Sequence, residues 1–207
     1  MVSLRDDFSK AWKGQDPFKK VSELSGDVYR DVKGRRTLRF EFAQQRYFAK
    51  IHAGVGWGEI VKNLLTLKMP VLGAENEWCA IAKLRSLGLA TMTAVGFGSR
   101  GGNPATRQSF ILTEALENTI SLEDYCGNWL QQKPSYGIKR SLITELARIS
   151  KILHENGVCH RDYYLCHFLL HKEEAFNAGQ IDTPQLSVID LHRALIRRKL
   201  PTRWVIK

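Results

Sequence analysis

The strongest constraint on this chain is an abrupt change of pattern near residue 157. Upstream, Ile138, Leu142, Leu146, Ile149 and Leu153 recur at steps of three and four, which is one apolar face of a helix over 138–155. The pattern stops at Glu155-Asn156-Gly157, and a polar turn follows, His160-Arg161-Asp162-Tyr163-Tyr164. Two short apolar runs come next. These are Phe168-Leu169-Leu170 and Leu186-Ser187-Val188-Ile189, and the second delivers Asp190. A long amphipathic helix followed by short apolar strands places this half of the chain in an α+β architecture.

The first half is patterned differently. Residues 1–25 read as a loosely helical entry, with Trp12, Phe18, Val21 and Leu24 available to dock. From Val28 the period falls towards two, predicting a meander of three strands near 27–33, 36–43 and 46–52. Gly54, Gly56 and Gly58 punctuate a loop. Ile60, Leu64 and Leu67 then take helical spacing before Pro70. A longer helix over 74–87 presents Trp78, Ile81, Leu84 and Leu87 and stops at Gly88. Two further strands, 94–98 and 108–116, flank the turn Gly101-Gly102-Asn103-Pro104, and Ser121 is the N-cap of the next helix. Five strands and one long helix make a first lobe over 1–116. The helical remainder, 117–207, makes a second.

Composition narrows the partners. The net charge of +10 favours phosphates, anionic lipid surfaces, nucleic acid or an acidic protein. Four cysteines in a chain of 207 residues do not make a disulfide framework, and the N-terminus lacks the apolar core of a signal peptide. The longest apolar stretch, 60–72, is broken by Lys62, Asn63, Lys68 and Pro70 and is too short to span a bilayer. A soluble cytoplasmic protein with reduced thiols is expected. Nucleic acid is the weakest partner, because the aromatics are spaced like core residues and not like an exposed stacking face.

Asp162 and Asp190 carry the chemistry. A histidine-arginine-aspartate turn before a short strand, with a strand-borne aspartate downstream, is how protein-kinase-like enzymes place a base and a metal ligand. Asp162 would accept the proton of an alcohol, and Asp190 would hold magnesium, a hard cation that prefers carboxylate oxygen. Each has a plainer reading alone, since a strand-end aspartate often caps the next turn. Their order and the two framing strands favour the joint reading. Lys50, ending an aromatic-rich strand, is a candidate to pair with the phosphates of ATP, with Glu77 on the long helix to hold it. Glu75 falls on a different face and is the weaker choice. Glu114 and Leu116, at the exit of the fifth strand, are where backbone groups would grip adenine. Lys33 and Gly34 form the turn that would cover the phosphates. One glycine among three cations serves equally as a solvated turn.

A rival site is zinc, suggested by Cys159-His160, Cys166-His167 and His171. No C-x-x-C pair supports it, and Phe168-Leu169-Leu170 reads as core strand.

The chain resembles the lipopolysaccharide core heptose(I) kinases of Gram-negative bacteria, small relatives of the protein-kinase fold. The resemblance is carried by Arg-Arg-Thr-Leu-Arg-Phe (35–40), Met-Pro-Val-Leu-Gly-Ala (69–74), Thr-Ile-Ser-Leu-Glu-Asp-Tyr-Cys (119–126), His-Arg-Asp (160–162), Cys-His-Phe-Leu-Leu-His (166–171) and Ser-Val-Ile-Asp-Leu-His-Arg (187–193). It implies a two-lobed kinase fold with a five-stranded antiparallel sheet. It also implies transfer of the ATP γ-phosphate to a hydroxyl of the first inner-core heptose, with Asp162 as base, Asp190 on Mg2+ and a Lys50–Glu77 ion pair. The acceptor, an anionic lipid A-core oligosaccharide, fits the basic charge, the basic residues from Arg193 to Lys207, and peripheral contact with the inner face of the cytoplasmic membrane. An acidic protein partner fits the same surface.

Three departures from the protein-kinase pattern stand out. His167 occupies the place of a second metal ligand, normally asparagine. Imidazole is a poor partner for magnesium, so His167 is the weaker metal candidate, with hydrogen bonding its alternative role. Asp190 is followed by Leu191-His192, so no protein-kinase activation switch is implied. The chain ends soon after Asp190, and the resemblance leads one to expect further substrate-binding helices, so the second lobe reads as truncated. With the single-glycine loop, these departures support an alternative, a pseudokinase or scaffold that binds nucleotide or an acidic partner without chemistry.

Overall fold

The computed structural model describes residues 1–32, 34–65, 73–172 and 183–198, the side chains of Glu59 and Asn63 excepted. The chain divides into two compact units, residues 1–79 with 93–115, and residues 80–92 with 116–207.

The first unit is built on an antiparallel sheet. In chain order it holds β1 (Val2–Leu4), α1 (Asp6–Ala11), α2 (Pro17–Ser22), β2 (Asp27–Val32), β3 (Arg35–Phe42), β4 (Gln45–His52), α3 (Gly56–Leu65), the start of α4 (Glu75–Ser86), β5 (Ala94–Arg100) and β6 (Gln108–Glu114). The spatial order is β1-β5-β6-β4-β3-β2. The five expected strands are present, and β1 adds a sixth at the edge of β5, where Leu4 pairs with Gly96. Three residues carry too little alternation to announce a strand. Backbone bonding recruits them, continued by Arg5 N–H donating to the Val95 carbonyl at 2.8 Å. The β3–β4 hairpin turns on Ala43 and Gln44, both left-handed (φ 49° and 63°), as a two-residue turn with the strand twist requires.

Strand alternation gives the sheet two distinct faces. One carries Leu38, Phe40, Tyr47, Ala49, Phe110 and Leu112, on which Phe8, Trp12 and Val21 of the entry helices are buried. Phe8 stacks on Phe42 at 4.4 Å and meets Tyr47 edge-on at 5.1 Å. The loosely helical entry is therefore a cap over half the core. The register sets Lys50 beside Thr37 on one side and Ile111 on the other, so Lys50 faces away from this cluster. Phe97 also neighbours Ile111, and Trp78 of α4 stacks on it at 5.3 Å. The start of α4 therefore lies on the Lys50 face of the sheet.

The second unit holds the remainder of α4, then β7 (Thr119–Ser121), α5 (Leu122–Cys126), α6 (Tyr136–Glu155), β8 (Val158–Cys159), β9 (Phe168–His171), β10 (Leu186–Val188) and β11 (Leu195–Ile196). Ser121 caps α5, its hydroxyl accepting from Asp124 N–H at 3.0 Å, and Ser135 caps α6 in the same way through Ile138 N–H. Helix α6 buries Leu142, Ile149 and Leu153, the stripe its spacing predicts. Strands β10-β9-β7 form a small antiparallel sheet, and β11 pairs with β8. Residues 90–91 join this unit through β10. Val188 N–H donates to the Ala90 carbonyl at 2.9 Å, and the Thr91 hydroxyl donates to the Val188 carbonyl at 2.6 Å.

Gly34 is fixed by a close approach. Its φ is +81°, and a Cβ there would lie 2.3 Å from the Gly54 carbonyl oxygen. Gly34 in turn accepts from Ala53 N–H at 2.9 Å. A side chain must displace backbone as well as adopt a left-handed conformation, so Gly34→Ala should destabilise the protein by about 2 kcal/mol or more, read from urea unfolding.

Candidate active site

Each unit contributes a cluster. In the first, Lys50 Nζ donates to Glu77 Oε1 at 2.8 Å. Glu77 is almost fully enclosed, its side chain 1% exposed against 24% for Lys50. It lies in the first turn of α4, where the helix dipole favours a carboxylate. Glu75, two residues earlier, is exposed. The Glu77 Oε2 atom is buried and has no hydrogen-bond partner among the described residues. The ammonium is thus held by one buried oxygen while remaining partly open to solvent, the disposition a phosphate-binding cation needs.

Glu114 and Leu116, also expected at the nucleotide, have partners of their own. The Glu114 carboxylate is paired with Arg5, which also binds Asp7 through two nitrogens and the Tyr47 hydroxyl. The Asp7 and Glu114 carboxylates and the Tyr47 hydroxyl push the Arg5 guanidinium further above its already high range. Glu114 N–H donates to the Thr93 carbonyl and Ala115 N–H to the Arg46 carbonyl, both at 2.9 Å. Two of the three amides at the strand exit are therefore committed to the fold. The Leu116 carbonyl accepts from the Thr119 hydroxyl at 3.2 Å. Lys33 lies outside the described residues, and Gly34 serves the close approach already described.

In the second unit, the stretch 160–171 folds back on the residues around Asp190. His160 Nε2–H donates to the Ile189 carbonyl at 2.8 Å, and Ile189 N–H donates to the His167 carbonyl at 2.9 Å. Ile189 is therefore gripped from both sides by one loop. Burial pushes the His160 imidazole below the usual histidine range, and its Nδ1 has no partner among the described residues. A neutral ring bonded through Nε2–H satisfies both facts. His167 stacks on His160 at 5.8 Å, and its Nδ1–H donates to the Asp162 carbonyl at 2.7 Å. Arg161 adopts φ 69°, which turns the chain so that Asp162 enters this network.

Asp162 and Asp190 are both defined by side-chain partners. Arg193 Nη1 donates to Asp162 Oδ1 at 2.6 Å. Asp190 sits at φ 59° and ψ 53° and opens a short 3-10 turn over Leu191–Arg193, with no capping bond from its side chain. The plain reading of a strand-end aspartate as a cap therefore fails on geometry. Its Oδ1 meets His192 Nδ1 at 2.9 Å, and its Oδ2 faces His167 Nε2 at 3.6 Å.

The zinc alternative finds no support. The four cysteines are free, His171 is bonded to the Ser187 hydroxyl at 2.9 Å, and no group of three or more metal-ligating side chains occurs among the described residues. Sequence reasoning missed Arg193, His192 and the structural use of His160. Arg193 stood in the 187–193 motif and in the basic C-terminal strip without a role, because a pair spanning 31 positions leaves no local pattern.

The chain is similar to known proteins over nearly its whole length. The family model described as lipopolysaccharide kinase (Kdo/WaaP) family matches residues 19–207. The chain is 50% identical over 204 residues to the lipopolysaccharide core heptose(I) kinase WaaP of Escherichia coli, covering 99% of this chain and 76% of that protein. The protein of the same name from Pseudomonas aeruginosa is 51% identical over 201 residues, covering 97% and 74%. A solved structure titled WaaP in complex with acyl carrier protein superposes with a TM-score of 0.83 at 43% identity, over 99% of this chain and 76% of that one.

The ion pair in the first unit is asymmetric, and its two ends should respond unequally. Lys50→Met strands a buried carboxylate and should cost about 2–3 kcal/mol, the low end for a buried pair because Lys50 is partly solvated. Glu77→Gln leaves a cation that water can reach and should cost about 1 kcal/mol. Paired denaturant titrations would show the ordering, and equal losses would contradict it.

Proposed function

Because the chain belongs to the lipopolysaccharide kinase (Kdo/WaaP) family, we propose that it transfers the γ-phosphate of ATP to a hydroxyl of the first heptose of the lipopolysaccharide inner core. The fold is protein-kinase-like, and the family is one of kinases. The observation that carries the reading is the double grip on Ile189, which ties the loop of Asp162 to the turn of Asp190. Preorganised carboxylates are what phosphoryl transfer asks of a protein, since positioning and charge neutralisation make up nearly all of its catalysis.

Asp162 acts on the acceptor. The sugar hydroxyl gives its proton to the Asp162 carboxylate as its oxygen bonds to the γ-phosphorus. The bond from that phosphorus to the β–γ bridging oxygen breaks, and its electron pair leaves on ADP. Lys50, held by Glu77, pairs with the nucleotide phosphates. The Asp190 carboxylate would hold magnesium, which when bound neutralises charge on the phosphates. Its donor set fits, because magnesium commonly takes one or two carboxylates together with phosphate oxygens and waters, and no dedicated cage is required. His167, hydrogen-bonded through Nδ1 to the Asp162 carbonyl, orders the loop.

The partners follow from charge and from the relatives. A net charge of +10 suits an anionic lipid-linked acceptor and peripheral contact with the inner face of the cytoplasmic membrane. No helix among the described residues is long and apolar enough to cross a membrane. The relative solved with acyl carrier protein makes such a protein the first partner to try.

The test is transfer from γ-labelled ATP to lipopolysaccharide core lacking inner-core phosphate. Asp162→Ala should lower turnover by about 100-fold to 10,000-fold while leaving nucleotide affinity near normal. Asp190→Ala should abolish the magnesium dependence of nucleotide binding. Absence of transfer by the unaltered chain, with nucleotide still bound, would favour a scaffold over a kinase.

A further inference from the structure

We propose that Arg193 is a positioning residue for Asp162, setting the rotamer of its carboxylate so that one oxygen faces the acceptor hydroxyl. The proposal rests on the reading of Asp162 as the base. The Asp162 carbonyl accepts from His167 Nδ1–H at 2.7 Å and from Tyr164 N–H at 3.0 Å, so the backbone at this residue is held. Neither bond restrains the side chain. Among the described residues, Arg193 supplies the hydrogen bond to the carboxylate itself, at 2.6 Å on Oδ1. With Oδ1 occupied, Oδ2 is the oxygen left to receive a proton.

The direction of Arg193 is set by packing. It ends the 3-10 turn that Asp190 begins. That turn is closed by Ala194 N–H donating to the Leu191 carbonyl at 3.0 Å. Leu191 and Ala194 are both fully buried, so the turn cannot rotate about its ends. The Arg193 side chain is partly exposed, 37% against 12% for that of Asp162. A pair this open adds little to stability. The strand pairing of β8 with β11 and the bonds to Ile189 hold the turn without it. The arrangement therefore serves orientation more than folding. It also links the base to Asp190 through three residues of rigid turn.

The test is steady-state transfer from magnesium-ATP to core lipopolysaccharide by the full chain and by Arg193→Ala, Arg193→Lys, Asp162→Asn and the double variant Arg193→Ala/Asp162→Asn. A misplaced base should lower kcat by about 100-fold in Arg193→Ala, with KM for ATP changed by less than about threefold. Arg193→Lys, which keeps a charged donor but not the planar fork, should recover part of the loss. Removing Arg193 should cost nothing further once Asp162 is already asparagine, because the two then act as one unit. Direct magnesium-ATP binding, equal in all variants, confirms that each is folded. Were Arg193→Ala to fail that check, Arg193→Gln would be judged by the same criteria.

Unchanged kcat in Arg193→Ala, beside an inactive Asp162→Asn, would overturn the positioning role and leave the base intact. An equal loss in both backgrounds would also overturn it, since Arg193 would then act independently of Asp162. Normal turnover by Asp162→Asn would remove the base assignment and the positioning role together.

Discussion

The second unit depends on how one residue, Ile189, is held. Its carbonyl takes the His160 Nε2–H, and its amide reaches the His167 carbonyl. Both partners belong to the stretch that carries Asp162, so the loop and the strand end are fixed together. The cost is a buried imidazole kept neutral, with Nδ1 lacking a partner among the described residues. An unsatisfied buried acceptor is unfavourable by about 1–3 kcal/mol, and such sites persist where position matters more than stability. The left-handed backbones of Arg161 and Asp190 mark the same place, strain stored on either side of the grip.

The first unit solves a different problem, how to keep a lysine aimed and accessible. The sheet register sends Lys50 to the face opposite the aromatic cluster, and α4 brings Glu77 to it. The entry helices matter here although they lie on the other face. Phe8, Trp12 and Val21 close the core beneath β3 and β4, and Arg5 ties the entry to Glu114 at the far end of β6. A segment that reads as loosely helical in sequence packs on the strand that carries Lys50.

Much of this was written locally. Alternation gave away β2 to β4, because period two is visible without knowing what packs on the strands, and the turn at Gly101-Gly102-Asn103-Pro104 set apart β5 and β6. The stripe Ile138 to Leu153 marked α6, and Ser121 behaved as the cap that its residue type suggests. Asp162, Asp190, Lys50 and Glu77 could be picked out because their chemistry is restricted and their order follows the strands and helices that bear them. β1 could not, since three residues have no period. Nor could the pairing of the Glu114 carboxylate with Arg5, which lies 109 positions away.

By itself, then, the sequence determined strands β2 to β6 and helices α4 and α6, the residue types available for phosphoryl transfer, and the family resemblance. These all reside in neighbours along the chain. Only the tertiary structure decided that Arg193 meets Asp162, that His160 spends its hydrogen on Ile189, that Asp190 does not cap its turn, and that His167 bonds a carbonyl. The first two are contacts between distant segments, 31 and 29 positions apart, brought together by burial of the apolar strands between them. Side-chain direction at such a contact is set by backbone angles and packing that no local pattern encodes.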